Sequence, residues 1–368
     1  KSLLQKKEKA HTHYNESNKI DQFYSIPRAY ASRPFDLNLE IAGAVSYLNG
    51  LAPQNKSTQV VMWTGDTTPF KAAVRKARQT GLYNINGGDS RFDREYRSYA
   101  WVSPIGRVLD DEIQVYASNS NENTYTDLWQ GRFHGFRFLI HTVENTDRPI
   151  RVKPFNLYYH MYSGERRASL NAVISNLEYA LKQEIIPIRT SHYCAVANGF
   201  YTSQVKKIGD QKWRIENRGK LQTIRFDHSS QKSVDFKNSI GVIGQRHFQG
   251  SLYVFLDDTQ LKPVIKIKPL KRFGEVASGS QPYLVQSRWM VSELQKHATG
   301  FRFRASGFGR PEMVWRVAGD RPYQVRVTGK SPPFTALYEV SSRNNILRIH
   351  LPRWNQGDGL FEISQSSD

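Results

Sequence analysis

Two acidic residues follow short apolar runs at matching places in the chain. Val60–Trp63 ends in Thr64-Gly65-Asp66, and Leu82–Ile85 ends in Asn86-Gly87-Gly88-Asp89. In parallel α/β sheets and barrels, reactive and binding groups collect at the carboxyl ends of the strands. Asp66 at such an end either orients a catalytic group or a polar substrate, or caps the helix that begins near Thr68-Pro69. Asp89 either serves the same purpose or sits in a tight turn that its two glycines permit, with Arg91 as a carboxylate partner. His160 is expected to end the strand in the aromatic run Phe155–Ser163. A histidine there works as a general acid or base, or packs among its aromatic neighbours.

Residues 119–129 add Asn121, Glu122, Asn123, Tyr125 and Trp129. Amides and acids that bond hydroxyls, beside aromatic faces that cover a ring, suit sugar recognition. The alternative is a polar loop anchored by its Trp. His11 and His13 form a His-x-His pair, but no Asp-x-Asp or second histidine pair follows at ligand spacing, and a catalytic zinc takes about three protein ligands. Cys194 is the sole cysteine, so no internal disulfide forms. Its apolar surroundings favour a buried structural thiol over a nucleophile.

The elements that must hold these residues change character near residue 205. Leu37, Ile41, Val45 and Leu48 recur at helical spacing, and Ala52-Pro53 ends that helix. Pro69–Thr80 carries Ala73, Val74 and Ala77 on one side. Residues 132–145 read as another helix, Val152–Tyr159 as a strand, and Ile185–Ile188 as a short buried strand. Ser169–Gln183 is the clearest helix, with Leu170, Val173, Ile174, Leu177 and Leu181 as its expected inner face. Strands alternating with helices indicate βα units. After Tyr201 come short alternating runs between Gly, Pro, Asn and Asp clusters: Lys212–Ile215, Leu221–Phe226, Leu252–Leu256, Val264–Ile267, Tyr283–Gln286, Gly300–Arg304, Tyr323–Val327 and Ile346–Ile349. They predict a β-sandwich.

The 368 residues suffice for two domains with full cores, and the aromatic fraction of 12 % is that of a folded protein. No apolar run approaches the ~18–20 residues of a membrane span, so no transmembrane segment is expected. The net charge of +19 fits either a solvated basic surface or an anionic partner. No basic arm, zinc finger, RNP or helix-turn-helix signature accompanies it, so nucleic acid is not an expected partner.

Phe35–Gly43, Trp63–Pro69 with Asn84–Arg91, Gln114–Gly131, and Lys153–Ser163 with Ala168-Ser169-Leu170 together resemble the deacetylase region of PelA-type exopolysaccharide deacetylases, which carry a NodB-like polysaccharide deacetylase domain. The resemblance covers roughly residues 10–205 in matching order. It implies α/β then all-β: a partial NodB-like (β/α) barrel over 1–204, followed by a β-sandwich over 205–368 for which carbohydrate binding is one expected role. It further implies metal-dependent N-deacetylation of an amino-sugar exopolysaccharide, a divalent metal such as zinc, export proteins as partners, and a periplasmic or extracellular location. Carried over, His160 is the acid, Asp66 and Asp89 orient the catalytic groups, and Asn121, Glu122 and Asn123 line the groove; Arg91, Tyr125, Trp129 and Tyr159 are further candidate substrate contacts. His11 takes the first place of the family's histidine pair, and Asn15 stands in the second. The early Asp-rich motif has no counterpart, so the chain corresponds to the C-terminal part of such a domain. It is expected not to deacetylate by itself. A non-catalytic carbohydrate-binding protein is the alternative.

Overall fold

Near residue 205 the described helices give way to strands, although the chain's compact units divide elsewhere. The computed structural model describes residues 34–128, 130–147, 151–270, 281–330, 333–351 and 356–366. Over these residues the chain is α/β and then mostly β, with four sheets. The last described helix ends at Thr202, and strands begin at Gln204. Chain contacts define two compact units. One holds residues up to Thr124 together with His141–Tyr158; the other holds Tyr125–Ile140 and Tyr159 onward.

The first unit is built on a small, mostly parallel sheet. β1 (Val60–Met62) leads through α2 (Lys71–Gln79) to β2 (Tyr83–Ile85), which pairs with β1 in parallel. β4 (Glu112–Val115) is parallel to β2, and β3 (Gly106–Leu109) runs antiparallel to β4, so the order is β1-β2-β4-β3. A π-helical turn, Leu39–Gly43, continues as α1 (Ala44–Leu51). Its Ile41 is buried against Ala73, Ala77 and Leu82, with Leu37, Val45, Val61 and Trp63 packed around them. Leu48, expected on the same face, is exposed.

Three basic residues on one stripe of α2 reach the β3–β4 hairpin. Lys71 Nζ lies 2.8 Å from Asp110 and 2.9 Å from Asp111. Arg75 pairs with Asp111 at 2.9 Å, and Arg78 with Glu112 at 2.8 Å. The Arg78 and Arg75 guanidinium groups hold the Glu112 carboxyl below its ordinary range, and Lys71 leads the groups that bring Asp111 to about 2.

Three expectations fail here. No strand forms over 152–159, where Pro154 has no N–H to give a ladder and Lys153 turns inward. No strand forms over 185–188 either, and Ile186 and Ile188 are exposed. After the short helices α3 (Glu122–Tyr125) and α4 (Leu139–Asn145), α5 (Arg167–Leu181) forms as expected but buries a different face. Its inner residues are Ser169, Ala172, Val173 and Asn176, while Leu170, Ile174 and Leu177 are exposed and Leu181 is 86 % exposed. Small side chains permit close approach, and Asn176 Nδ2 donates to the Phe136 carbonyl at 2.9 Å.

The second unit continues with α6 (Thr190–Thr202) and three sheets. One sheet joins β5 (Gln204–Gly209), β6 (Lys212–Glu216), β11 (Val264–Pro269) and β8 (Lys232–Val234) in that order. A second joins β13 (Met290–His297), β14 (Gly300–Phe308), β19 (Gln356–Gln365), β16 (Pro322–Lys330) and β17 (Pro333–Ser341). The third runs β18 (Ile346–His350), β15 (Glu312–Arg316), β12 (Tyr283–Ser287), β9 (Val242–Phe248), β10 (Ser251–Leu256) and β7 (Thr223–Phe226). Seven of the eight alternating runs read from the sequence lie wholly in strands, and Leu221–Phe226 does so from Thr223 onward.

The six-stranded sheet serves two cores. Leu252, Val254 and Leu256 of β10 bury against Ile215, Val234, Ile265 and Ile267 of the four-stranded sheet. Met313, Trp315, Leu347 and Ile349 bury against Phe301, Phe303, Val325 and Phe361 of the five-stranded sheet. The Trp315 ring sits 4.7 Å from Phe301 and 4.6 Å from Phe303. The halves of the six-stranded sheet meet where β9 and β12 pair in parallel at Gly244 and Leu284. A Cβ on Gly244 would lie 2.0 Å from the Leu284 carbonyl oxygen, which is backbone and cannot move aside. Gly244→Ala is therefore expected to destabilise this unit by about 3 kcal/mol, the upper part of the overpacking range, measured by urea unfolding. A loss below 0.5 kcal/mol, as for an ordinary surface change, would show that the joint is not constrained.

Candidate functional site

Because β1, β2 and β4 are parallel, their carboxyl ends lie on one edge of the first unit's sheet. Residues 63–69, 86–91 and 116–122 leave from that edge. Asp66 and Asp89 thus stand at strand ends, as their spacing predicted. The loops are stitched by buried amides. Gln114, fully buried, donates from Nε2 to the Thr67 and Asn86 carbonyls, both at 2.7 Å, and its Oε1 accepts from Arg107 Nε at 2.7 Å. Arg107 also donates to the Pro69 carbonyl at 2.8 Å. Asn84 receives the Trp63 indole N–H at 3.1 Å and donates to the Ile113 carbonyl at 3.0 Å. Asn86, at φ 104°, donates its amide to the Trp63 carbonyl.

The Gly87-Gly88 turn requires its glycines. Both have positive φ, and a Cβ on Gly88 would lie 2.0 Å from the Tyr116 ring. The turn delivers Asp89 to the exposed surface, its carbonyl accepting from Ser103 Oγ at 2.9 Å. Asp66 is also exposed. Its Oδ1 accepts from the Thr68 N–H at 2.8 Å, closing an Asx-turn. Asp66 does not cap the helix that follows. The helix begins at Lys71, Phe70 is the N-cap residue, and no side chain bonds there.

Arg91 is buried and engaged within the unit. Nε meets Asp93 at 2.7 Å, Nη2 meets Glu95 at 2.9 Å, Nη1 donates to the Thr124 carbonyl at 3.0 Å, and the guanidinium covers the Tyr96 ring at 4.4 Å. The carboxylates of Asp93 and Glu95 are among its partners. Ser120 Oγ donates to the Ser90 carbonyl at 3.0 Å, and Asn119 Nδ2 to the Pro154 carbonyl at 3.2 Å. Asn121 Oδ1 accepts from the Asn123 N–H at 3.0 Å and so starts the short helix α3, while Glu122 is buried. Lys153 is also buried and donates to the Pro104 carbonyl at 3.0 Å; burial pulls its pKa down to about 8.

The other candidates belong to the second unit. His160 ends no strand; it precedes a 3₁₀ turn, Met161–Glu165, is half-buried, and stacks on Tyr162 at 4.8 Å with the rings 5° from parallel. Tyr159 is exposed, and Tyr125 is buried against Phe136, ring centroids 5.8 Å apart. His11 and Trp129 lie outside the described residues. Cys194 is buried in α6, and burial pushes its thiol up to about 12, which keeps it protonated and a poor nucleophile. Among the described residues no group of three or more His, Cys, Asp or Glu side chains is placed to hold a metal ion.

Gln114, Asn84, Asn119 and Lys153 were not anticipated. The signal for Gln114 was an amide inside an otherwise apolar strand end, Ile113-Gln114-Val115-Tyr116. No protein-family model, curated protein or solved structure matches the chain.

Replacing Gln114 by Leu removes two donors and one acceptor from buried partners. The expected loss is about 2–4 kcal/mol, read by urea unfolding, with faster amide exchange over residues 86–90. Lys153 yields a pH dependence. Its pKa is about 8 in the fold against an ordinary 10.5, so between those values the unfolded chain binds more protons and stability rises with pH. In Lys153→Met this contribution should vanish, leaving a flatter stability profile from pH 8 to 10.5 in denaturant titrations at stepped pH.

Proposed function

We propose that the carboxyl edge of the parallel sheet binds an N-acetylated amino-sugar polysaccharide, and that the chain is the substrate-holding part of an exopolysaccharide N-deacetylase. The observation that carries this reading is the joining of strand-end loops through Gln114. Buried amides fix the loops, so the exposed acceptors Asp66 and Asp89 stand on a rigid base. Pre-set acceptors on a fixed base suit hydroxyl and acetamido N–H donors, because little side-chain entropy is lost on binding. The polymer is neutral while acetylated and meets no Coulomb penalty from a chain of charge +19. Once deacetylated it is cationic and is repelled, which favours product release.

The described residues do not assemble a ligand set for the implied metal. No chemical step is therefore routed through one. The role derived for this chain is to hold and orient the sugar.

The test uses the whole chain with an N-acetylglucosamine hexamer in isothermal titration. Binding should be measurable, and Asp66→Asn with Asp89→Asn should weaken it at least tenfold, about 1.4 kcal/mol. Asn at position 66 retains the Asx-turn acceptor, so folding should survive. With zinc added, no acetate should be released. Absence of binding, or equal binding by the double variant, would refute the assignment of this edge. Zinc-dependent acetate release that survives His11→Ala would overturn the substrate-holding reading.

A further inference from the structure

The second unit has a cleft of about 930 Å³ beside the β9–β12 joint, a volume near the top of the range for small-ligand sites. Three arginines line it: Arg189 just before α6, Arg246 on β9 and Arg288 just after β12. Among the described residues, Arg189 and Arg246 have no ion-pair partner. Arg189 lies over the Phe308 ring at 5.6 Å, and Arg246 donates to Gln286 Oε1 at 2.8 Å. Arg288 donates to the Ile185 carbonyl at 3.1 Å, and its Nε is buried with no acceptor among the described residues.

The acids nearby already have partners. Glu184 accepts from Gln286 Nε2 at 2.8 Å, Asp358 lies 3.7 Å from Arg304, and Glu312 lies 3.4 Å from His350 and 3.6 Å from Arg288. The remaining lining is largely aliphatic, and among it stand the hydroxyls of Thr223 and Ser306, the Gln222 amide, and the aromatic side chains of Phe255 and Phe308. A guanidinium fork matches a carboxylate or sulfate. Hydroxyls and amides match sugar hydroxyls, and ring faces cover the apolar side of a sugar.

We infer that this cleft is a second binding site, for an anionic oligosaccharide whose acidic groups lie between Arg189 and Arg246. It does not depend on the function proposed for the parallel sheet. A neutral sugar would leave the arginines unmatched, and a bare inorganic anion would leave the hydroxyl and aromatic lining unused.

The experiment measures binding of trigalacturonate by the whole chain at about 0.15 M salt, where diffuse surface attraction is screened beyond ~8 Å. Neutral maltotriose and inorganic sulfate are measured alongside. Arg189→Gln with Arg246→Gln should weaken trigalacturonate binding at least tenfold. Both residues are exposed, so unchanged circular dichroism and thermal midpoint should accompany the loss. Arg326→Gln with Arg348→Gln removes the same charge from exposed strand positions outside the cleft, and should change binding less than twofold. Equal weakening by that control pair would mean that net charge, not the cleft, attracts the ligand. Sulfate binding as tight as trigalacturonate would reduce the site to a simple anion site, and equally tight maltotriose would remove the role of the arginines. Either result overturns the proposal, as would no binding of trigalacturonate.

Discussion

The parallel contact between β9 and β12 governs the β-rich unit. At Gly244 the neighbouring strand's Leu284 carbonyl comes so close that no side chain fits. That contact makes one six-stranded sheet from two groups of three strands. The groups cover different partners, β10 facing the four-stranded sheet and β15 and β18 facing the five-stranded one. The unit is therefore two packed cores sharing one sheet, where the alternating runs by themselves suggested a single sandwich. Fully buried aromatic residues lie in one of them, where Phe301, Phe303, Trp315 and Phe361 form a chain of ring contacts, while Trp213, Phe226 and Phe236 pack partly buried against the other. The cleft flanked by Arg189, Arg246 and Arg288 lies beside this joint, where Ile243 and Leu284 form part of its wall.

The parallel-sheet unit solves a different problem. Its strands are only three or four residues long, too short for ladder hydrogen bonds alone to fix the loops beyond them. Side-chain amides take over that task. Gln114, Asn84 and Asn86 bond backbone carbonyls of neighbouring strands and loops, and a buried amide left without such partners would be costly. At the hairpin, Lys71, Arg75 and Arg78 meet Asp110, Asp111 and Glu112. Part of the large positive charge is thus committed to holding the crossover helix on its sheet. Arg91 is committed likewise, to Asp93 and Glu95.

Much of the fold was legible in the sequence, and the reason is periodicity. The runs Lys212–Ile215, Gly300–Arg304 and Tyr323–Val327 alternate with period two, and each lies in a strand. The strand-end positions of Asp66 and Asp89 followed from an apolar run, a helix and a second apolar run, the pattern of a parallel crossover. Ser169–Gln183 was recognisable as a helix because apolar residues recur with period 3.6. Its inner face was not, because Leu170, Ile174 and Leu177 are more hydrophobic than Ala172 and Asn176, yet close packing and the Asn176 bond to Phe136 placed the smaller residues inside.

The sequence by itself determined where helices give way to strands, that Cys194 forms no internal disulfide, and that two acids follow parallel strands. Local spacing encodes these things. Only the tertiary structure decided that Gln114 joins the strand-end loops, that Arg91 faces Asp93 and Glu95, that His160 ends no strand and stacks on Tyr162, and that residues 152–159 form no strand. Each depends on which partner lies across the fold. A polar side chain's role is set by the donor or acceptor that reaches it, and these partners are fixed only when distant segments pack together.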